Sequence, residues 1–345
     1  MTWIKESAFR AASEAAFGSC ARGDDDKLSD RDILIVDDDV SILRARAAML
    51  KAQGLSVASY TFSKLDRLAA CGALFLQHLR LESVIAVDQD DRLGSLLASF
   101  RPKEKYDEEL RQNALLAELV SSVSVGRVSE LWSADVLYVT VRNFGVLWLA
   151  GRGEYIFAFE RILEALRDAD MVSDCGLSSL RQLRFLKALY RSDYKASVGV
   201  VRSKVVAALA ELPCTYFPKV SRLVSATEVL LAPAPRNGSP AYLVLRDLEK
   251  RAIAARSLSG GKLDDTTLDA LDGWIRDPRI YANLGAALAP EVRTKLASYI
   301  PNHQLKLRLS SECHVPHCTT RSVGRSNGLE DPRGAGRHGL CLSCG

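Results

Sequence analysis

A glycine-serine pair, a short polar interval, two aspartates one residue apart and then an apolar run leave few folds open to this chain. The residues are Phe17-Gly18-Ser19-Cys20-Ala21-Arg22-Gly23-Asp24, then Ser29-Asp30-Arg31-Asp32, then Ile33-Leu34-Ile35-Val36. A Gly-Ser turn exposes backbone N–H groups and a hydroxyl that can cradle phosphate oxygens. Residues 33–36 read as a strand buried on both faces. Asp30 and Asp32, two apart on or beside a strand, project from one face. Paired carboxylates are hard-oxygen ligands, and Mg²⁺ is held by one or two carboxylates together with substrate phosphates. Two such ions can grip the attacking and leaving oxygens of an in-line phosphoryl displacement.

The surrounding pattern predicts an α+β fold, a small domain with a mixed sheet followed by a helical domain. Ile4, Ala8, Ala11 and Ala15 lie at helical spacing and predict a helix over residues 3–16. Asp39 or Ser41 can cap a helix from Val40 to about Gln53, which Gly54 stops. Residues 55–61 read as a strand, 62–81 as helix interrupted near Gly72, and 83–87 as a further strand. After Arg101-Pro102 the period becomes helical, over residues 105–125, 129–150, 153–170, 178–191, 197–212 and 240–257. Residues 232–238, with Pro233, Pro235 and Gly238, read as a loop. The expected organisation is therefore a first domain over residues 1–100, a helical domain over 105–300 and a basic tail over 301–345.

The two-part run resembles the signature of the minimal nucleotidyltransferases, within the DNA polymerase beta superfamily. Gly18, Ser19, Ala21, Arg22, Gly23, Asp24, Ser29, Asp30, Asp32 and Val36 match its pattern. A looser likeness continues through residues 70–79. The resemblance covers roughly residues 10–100. It implies transfer of a nucleoside monophosphate from a nucleoside triphosphate to an acceptor hydroxyl or phosphate, with two Mg²⁺ ions. Gly18 and Ser19 would hold the triphosphate and Arg22 would contact phosphate. Asp30 and Asp32 would be the catalytic carboxylates and bind the metals. The acceptor stays open among an RNA end, a protein hydroxyl and a small molecule, as does a partner protein of the toxin–antitoxin kind.

One feature departs from that family. Its usual third carboxylate would fall on the strand at residues 55–61, where no Asp or Glu stands. Glu82 or Asp88, flanking the next strand, are the substitutes on offer. An alternative reading is thus a catalytically silent module that binds nucleotide or a partner protein. Another is a response-regulator receiver, which the apolar run followed by Asp37-Asp38-Asp39 resembles, with Asp88 as the phosphorylated residue. The later receiver strands ending in Ser/Thr and in Lys are missing.

Charge and cysteine patterning fill in the rest. Residues 1–100 carry 12 Lys+Arg against 15 Asp+Glu, and residues 301–345 carry 6 against 3. The formal net charge of +4 is too small to imply nucleic-acid binding by itself. The positive middle and tail are the regions expected to meet an anionic acceptor. Residues 136–150 are the most apolar stretch, but they are shorter than the roughly 20 residues of a membrane span and include Arg142. They predict a buried helix, no membrane segment, and Arg142 paired with Asp135 or Glu160 or reaching acidic residues of the first domain or a phosphate. The aromatic series Trp132, Tyr138, Phe144 and Trp148 reads as core. Eight cysteines are sparse for a disulfide scaffold and fit a cytoplasmic protein. In the tail, Cys313, Cys318, Cys341 and Cys344 are candidate Zn²⁺ ligands, with His314 and His317 as alternatives.

Overall fold

A computed structural model describes residues 10–23, 31–193, 201–236, 239–260, 263, 273 and 294–299. Asp30 and the tail residues Cys313, His314, His317, Cys318, Cys341 and Cys344 lie outside the described residues. The chain is of mixed α/β class.

The first hundred residues build a four-stranded sheet. Its strands are β1 (Ser13–Phe17), β2 (Asp32–Val36), β3 (Ser56–Tyr60) and β4 (Val84–Asp88), in the spatial order β3-β2-β1-β4. β1 runs antiparallel to both β2 and β4, whereas β2 and β3 are parallel. The sheet is therefore mixed, as the sequence predicts. Between the strands lie α1 (Ser19–Arg22), α2 (Val40–Ala52), α3 (Phe62–Ala70) and α4 (Leu74–Glu82), and α5 (Arg92–Ser99) follows β4.

β2 explains the two-sided core. Ile33 and Ile35 face a cluster with Leu43, Leu50 and Val57, which α2 closes. Leu34 and Val36 face a second cluster with Phe62, Leu65, Leu76, Leu93 and Leu97, from α3, α4 and α5. A period of two that is apolar on both faces gives the unbroken run seen in the sequence. Asp39 caps α2 by accepting from the Ser41 N–H at 2.7 Å. Gly54 leaves the helix with φ +77°, and Thr61 caps α3 through the Lys64 N–H.

The helix expected over residues 3–16 is corrected in its described part. Residues 13–17 are the central strand β1, flanked by β2 and β4. The spacing of small residues there mimics a helix, but ladder pairing on both sides overrides local propensity. Glu14, unlikely in a central strand, is fully buried and held by Arg46 of α2. Arg46 Nε donates to Oε1 at 2.8 Å and Nη2 to Oε2 at 2.7 Å. The β1–β4 register shifts between Glu14 and Ala15, a bulge beside this pair.

Beyond residue 100 lie α6 (Asp107–Ala117), α7 (Arg127–Ala150), α8 (Phe159–Asp168), α9 (Asp174–Asp193), α10 (Val201–Ala210), α11 (Ala226–Leu231) and α12 (Ala241–Leu258). The region is not wholly helical, because the short strands β5 (Ser122–Ser124) and β6 (Arg222–Val224) pair. α6 accordingly stops well before the expected residue 125. Trp132, Tyr138 and Phe144 of α7 are buried as core, and Phe144 packs on Tyr216 and Phe217. Among the described residues no helix is long and apolar enough to cross a membrane.

The described residues divide into two compact units. One holds those up to Val123 and from Glu130 to Arg222, so the sheet and helices α6–α10 share it. The other holds Ser124–Ser129 and those from Leu223 onward. In this second unit Ser225 and Glu228 form a capping box on α11. Arg251 of α12 donates to the Leu230, Ala232 and Pro233 carbonyls, which fixes the chain leaving α11.

Candidate functional site

The turn after β1 is built by two glycines. Gly18 has φ +68° and ψ −146°, a region essentially restricted to glycine. Its carbonyl accepts the Ala21 and Arg22 N–H groups, both at 3.1 Å, and so starts α1. Gly23 ends that single turn at φ +75°, with its N–H on the Ser19 carbonyl at 2.9 Å. Ser19 thus opens the turn and Arg22 closes it.

The same turn meets the first residue of β2. Phe17 and Asp32 are cross-strand partners. A Cβ placed on Gly18 would lie 3.5 Å from Asp32 Oδ2. Gly18 and Asp32, one from each half of the sequence run, are therefore neighbours. By the two-residue period Asp32 belongs to the Leu34/Val36 face, the side covered by α3, α4 and α5.

On β3 the residue paired with Asp32 is Ser56. Tyr60, Ser59, Ala58 and Val57 complete the strand, so no carboxylate stands there. The two proposed substitutes separate. Asp88 pairs with Ser13, at the end of β1 away from Gly18. Its carboxylate accepts from Ser13 Oγ at 2.7 Å and from the Leu93 and Gly94 N–H groups at 3.0 and 2.8 Å, holding the start of α5. It does not reach the Gly18 end, which removes it as a third carboxylate. Glu82 ends α4, just before Val84, the partner of Ala16, and so lies at the Gly18 end.

Glu82 is already engaged. Arg22 Nη1 donates to its Oε2, and His78 Nε2 lies 3.0 Å from the same oxygen. The three side chains are largely buried, with 21% of Arg22, 13% of Glu82 and 8% of His78 exposed. The His78 ring stacks on Phe157 at 4.4 Å between centroids and meets Phe17 edge-on at 5.6 Å. Burial holds His78 below the ordinary histidine pKa; the charges of Arg142 and Arg22 push the same way, and Glu82 opposes them. Burial by itself would raise Glu82, but the His78 hydrogen bond and the Arg22 charge hold it below the usual carboxylate range. Near neutral pH, burial thus favours a neutral His78, whose Nε2–H can donate to an ionised Glu82.

The charge of Arg142, from the middle of α7, is felt at His78. Of the acidic partners expected for it, Asp135 receives Arg191 in a two-pronged contact at 3.0 and 2.5 Å, and Glu160 receives Arg181 at 2.7 Å. His78 and Phe157 were not legible as site residues. The one local signal is the His78-to-Glu82 spacing, which puts both on one face of α4.

Asp37, Asp38 and Asp39 are accounted for separately, at the other end of β2. Asp37 accepts from the Ala12 and Asp39 N–H groups, both at 2.8 Å. Asp38 pairs with Arg92 at 2.6 Å, and Asp39 caps α2. Among the described residues no group of three or more His, Cys, Asp or Glu could hold a metal ion. The donor set at Gly18–Asp32 fits Mg²⁺ only as an ion shared with substrate phosphates, since Asp32 is the described carboxylate there and Glu82 is occupied.

No protein-family model, curated protein or solved structure matches the chain.

Proposed function

We propose that the Gly18–Asp32 site binds a nucleoside triphosphate with Mg²⁺ and transfers its nucleoside monophosphate to an acceptor, as in polymerase-beta-like nucleotidyltransferases. The observation that carries this reading is the contact of the Gly18 turn with Asp32. The antiparallel pairing of β1 with β2 sets the Gly18 turn beside Asp32, which supports reading the turn as a phosphate cradle next to a metal-ligating carboxylate. The antiparallel β1 also weighs against a receiver domain, whose doubly wound sheet is mostly parallel.

In this reading the Ser19 N–H and hydroxyl bind phosphate oxygens, and Arg22 adds a guanidinium from the end of the same turn. Asp32, with Asp30, holds the ions, two in the family pattern. When bound, Mg²⁺ neutralises charge developing on the α-phosphate and on leaving pyrophosphate. The protein's share is positioning and fixed electrostatics. The acceptor is an RNA end, a protein hydroxyl or a small molecule.

Ser56 opposite Asp32 favours a second reading, a nucleotide-binding module without transfer, because no carboxylate on β3 can activate an acceptor hydroxyl. Labelled NTPs offered with Mg²⁺ to an RNA oligonucleotide, protein extract and small polyols separate the two. Transfer that the Asp30→Ala/Asp32→Ala variant loses supports the enzyme. Nucleotide binding with no transfer supports the module. Zn²⁺ in the tail is tested by metal content of the full chain against a chain ending before Pro301; equal content removes that proposal.

A further inference from the structure

We propose that Glu82 and His78 are positioning residues that hold the Arg22 guanidinium for an anion docked at the Gly18–Ser19 turn. The inference rests on the phosphate-binding reading of that turn and adds what makes Arg22 effective there.

Arg22 ends a helix of one turn, bounded by glycines on both sides. So short a helix gives a long side chain little anchorage. The anchorage comes from elsewhere. Arg22 Nη1 donates to Glu82 Oε2, which also faces His78 Nε2 at 3.0 Å. The His78 ring is stacked on Phe157 with 21° between ring planes and meets Phe17 at 83°. Phe17 is the residue immediately before Gly18, so this chain of contacts begins and ends at the turn. Arginine presents its donors in a rigid fork, and committing one to Glu82 sets where the others point. Fixing them beforehand reduces the rotamer freedom lost when an anion binds.

The rival role for Glu82 is neutralisation: a carboxylate beside Arg22 would simply compete with phosphate. The two roles differ in sign. Removing a negative charge from an anion site strengthens anion binding unless that charge was orienting the cation.

The test titrates the full chain with sodium tripolyphosphate, metal-free, by calorimetry. The proteins are wild type, Arg22→Gln, Glu82→Gln and the double variant. Positioning predicts that E82Q weakens binding about three- to tenfold although it removes a negative charge. R22Q weakens it further, and E82Q has no added effect in the R22Q background. Binding by E82Q as tight as wild type or tighter overturns the proposal, as does an equal loss in the R22Q background. Should E82Q fail to fold, His78→Asn, which leaves Arg22 and Glu82 in place, is read in wild-type and R22Q backgrounds, where positioning predicts weakening in the first only. Weakening that vanishes in the R22Q background supports positioning, and unchanged binding or an equal loss in both backgrounds overturns it. Wild type that binds tripolyphosphate alongside an unaffected E82Q leaves the site reading standing and removes only the positioning role. Wild type that binds no tripolyphosphate overturns the positioning role alone, because the site reading concerns a Mg²⁺-bound triphosphate and stands or falls on NTP binding with the metal present.

Discussion

Replacing Arg46 with methionine strands a carboxylate in the core of the sheet domain. Glu14 is fully buried in β1, and Arg46, 1% exposed, satisfies both of its oxygens from α2. With Arg46 gone, the Ala11 N–H still donates to Glu14 Oε1, at 3.3 Å. Breaking one side of a buried pair costs about 3–5 kcal/mol. In a unit of this size each kcal/mol moves the midpoint by about 2–4 °C, so the midpoint should fall by about 6–20 °C. Replacing both residues, Glu14→Leu with Arg46→Met, removes the stranded charge and should recover most of the loss. The assay is thermal unfolding of the full chain followed by circular dichroism at neutral pH. A drop below about 3 °C for Arg46→Met would refute the reasoning. So would a double variant no more stable than the single. The pair matters for function because β1 delivers Gly18 to Asp32, and the same unfolding should abolish nucleotide binding.

Three further outcomes follow from particular residues. Gly18→Ala forces a side chain into a glycine-only conformation, at about 1–3 kcal/mol; denaturant unfolding should show that loss, and triphosphate binding should weaken with it. Asp88→Ala removes two hydrogen bonds at the start of α5 and one from Ser13 of β1 and should cost about 1–2 kcal/mol, yet leave nucleotide binding unchanged, because it lies at the far end of β1. Equal loss of binding would contradict the placement of the site. His78 sits below its ordinary value of 6.5, so between its folded value and 6.5 the unfolded chain binds more protons. Stability should therefore fall as pH drops below 6.5 and level off once the folded residue also titrates. His78→Phe should flatten that slope in unfolding curves taken from pH 7 down to pH 5.5, and an unchanged slope would assign it to other groups.

Much of the sheet domain was legible because its signals are local. The apolar run of β2, the cap at Asp39, the stop at Gly54 and the break at Gly72 each act within a few residues. β1 was not legible. Ala11 and Ala15 fall in a helix-like spacing with Ile4 and Ala8, and what makes residues 13–17 a strand is pairing with residues about twenty and seventy positions away. The acceptance of Glu14 in the core depends on Arg46, which no local pattern announces. The candidate site divides in the same way. Gly18, Ser19, Arg22 and Asp32 form one local run and were named from it. His78, Glu82 and Phe157 gather only because α4 and the segment before α8 pack beside the turn. Arg142 stood out as a charge in an apolar helix, but its nearness to His78 needed the fold.

The central claim is that Gly18, Ser19 and Asp32 form one site for a metal-bound triphosphate. Equilibrium binding of non-hydrolysable analogues of the four common NTPs, with and without Mg²⁺, tests it without knowledge of the acceptor. Wild type should bind at least one analogue, and Mg²⁺ should strengthen that binding; Asp32→Asn should bind more weakly and gain little from the metal. Binding that is absent for all four, or equally Mg²⁺-dependent in Asp32→Asn, would contradict the account.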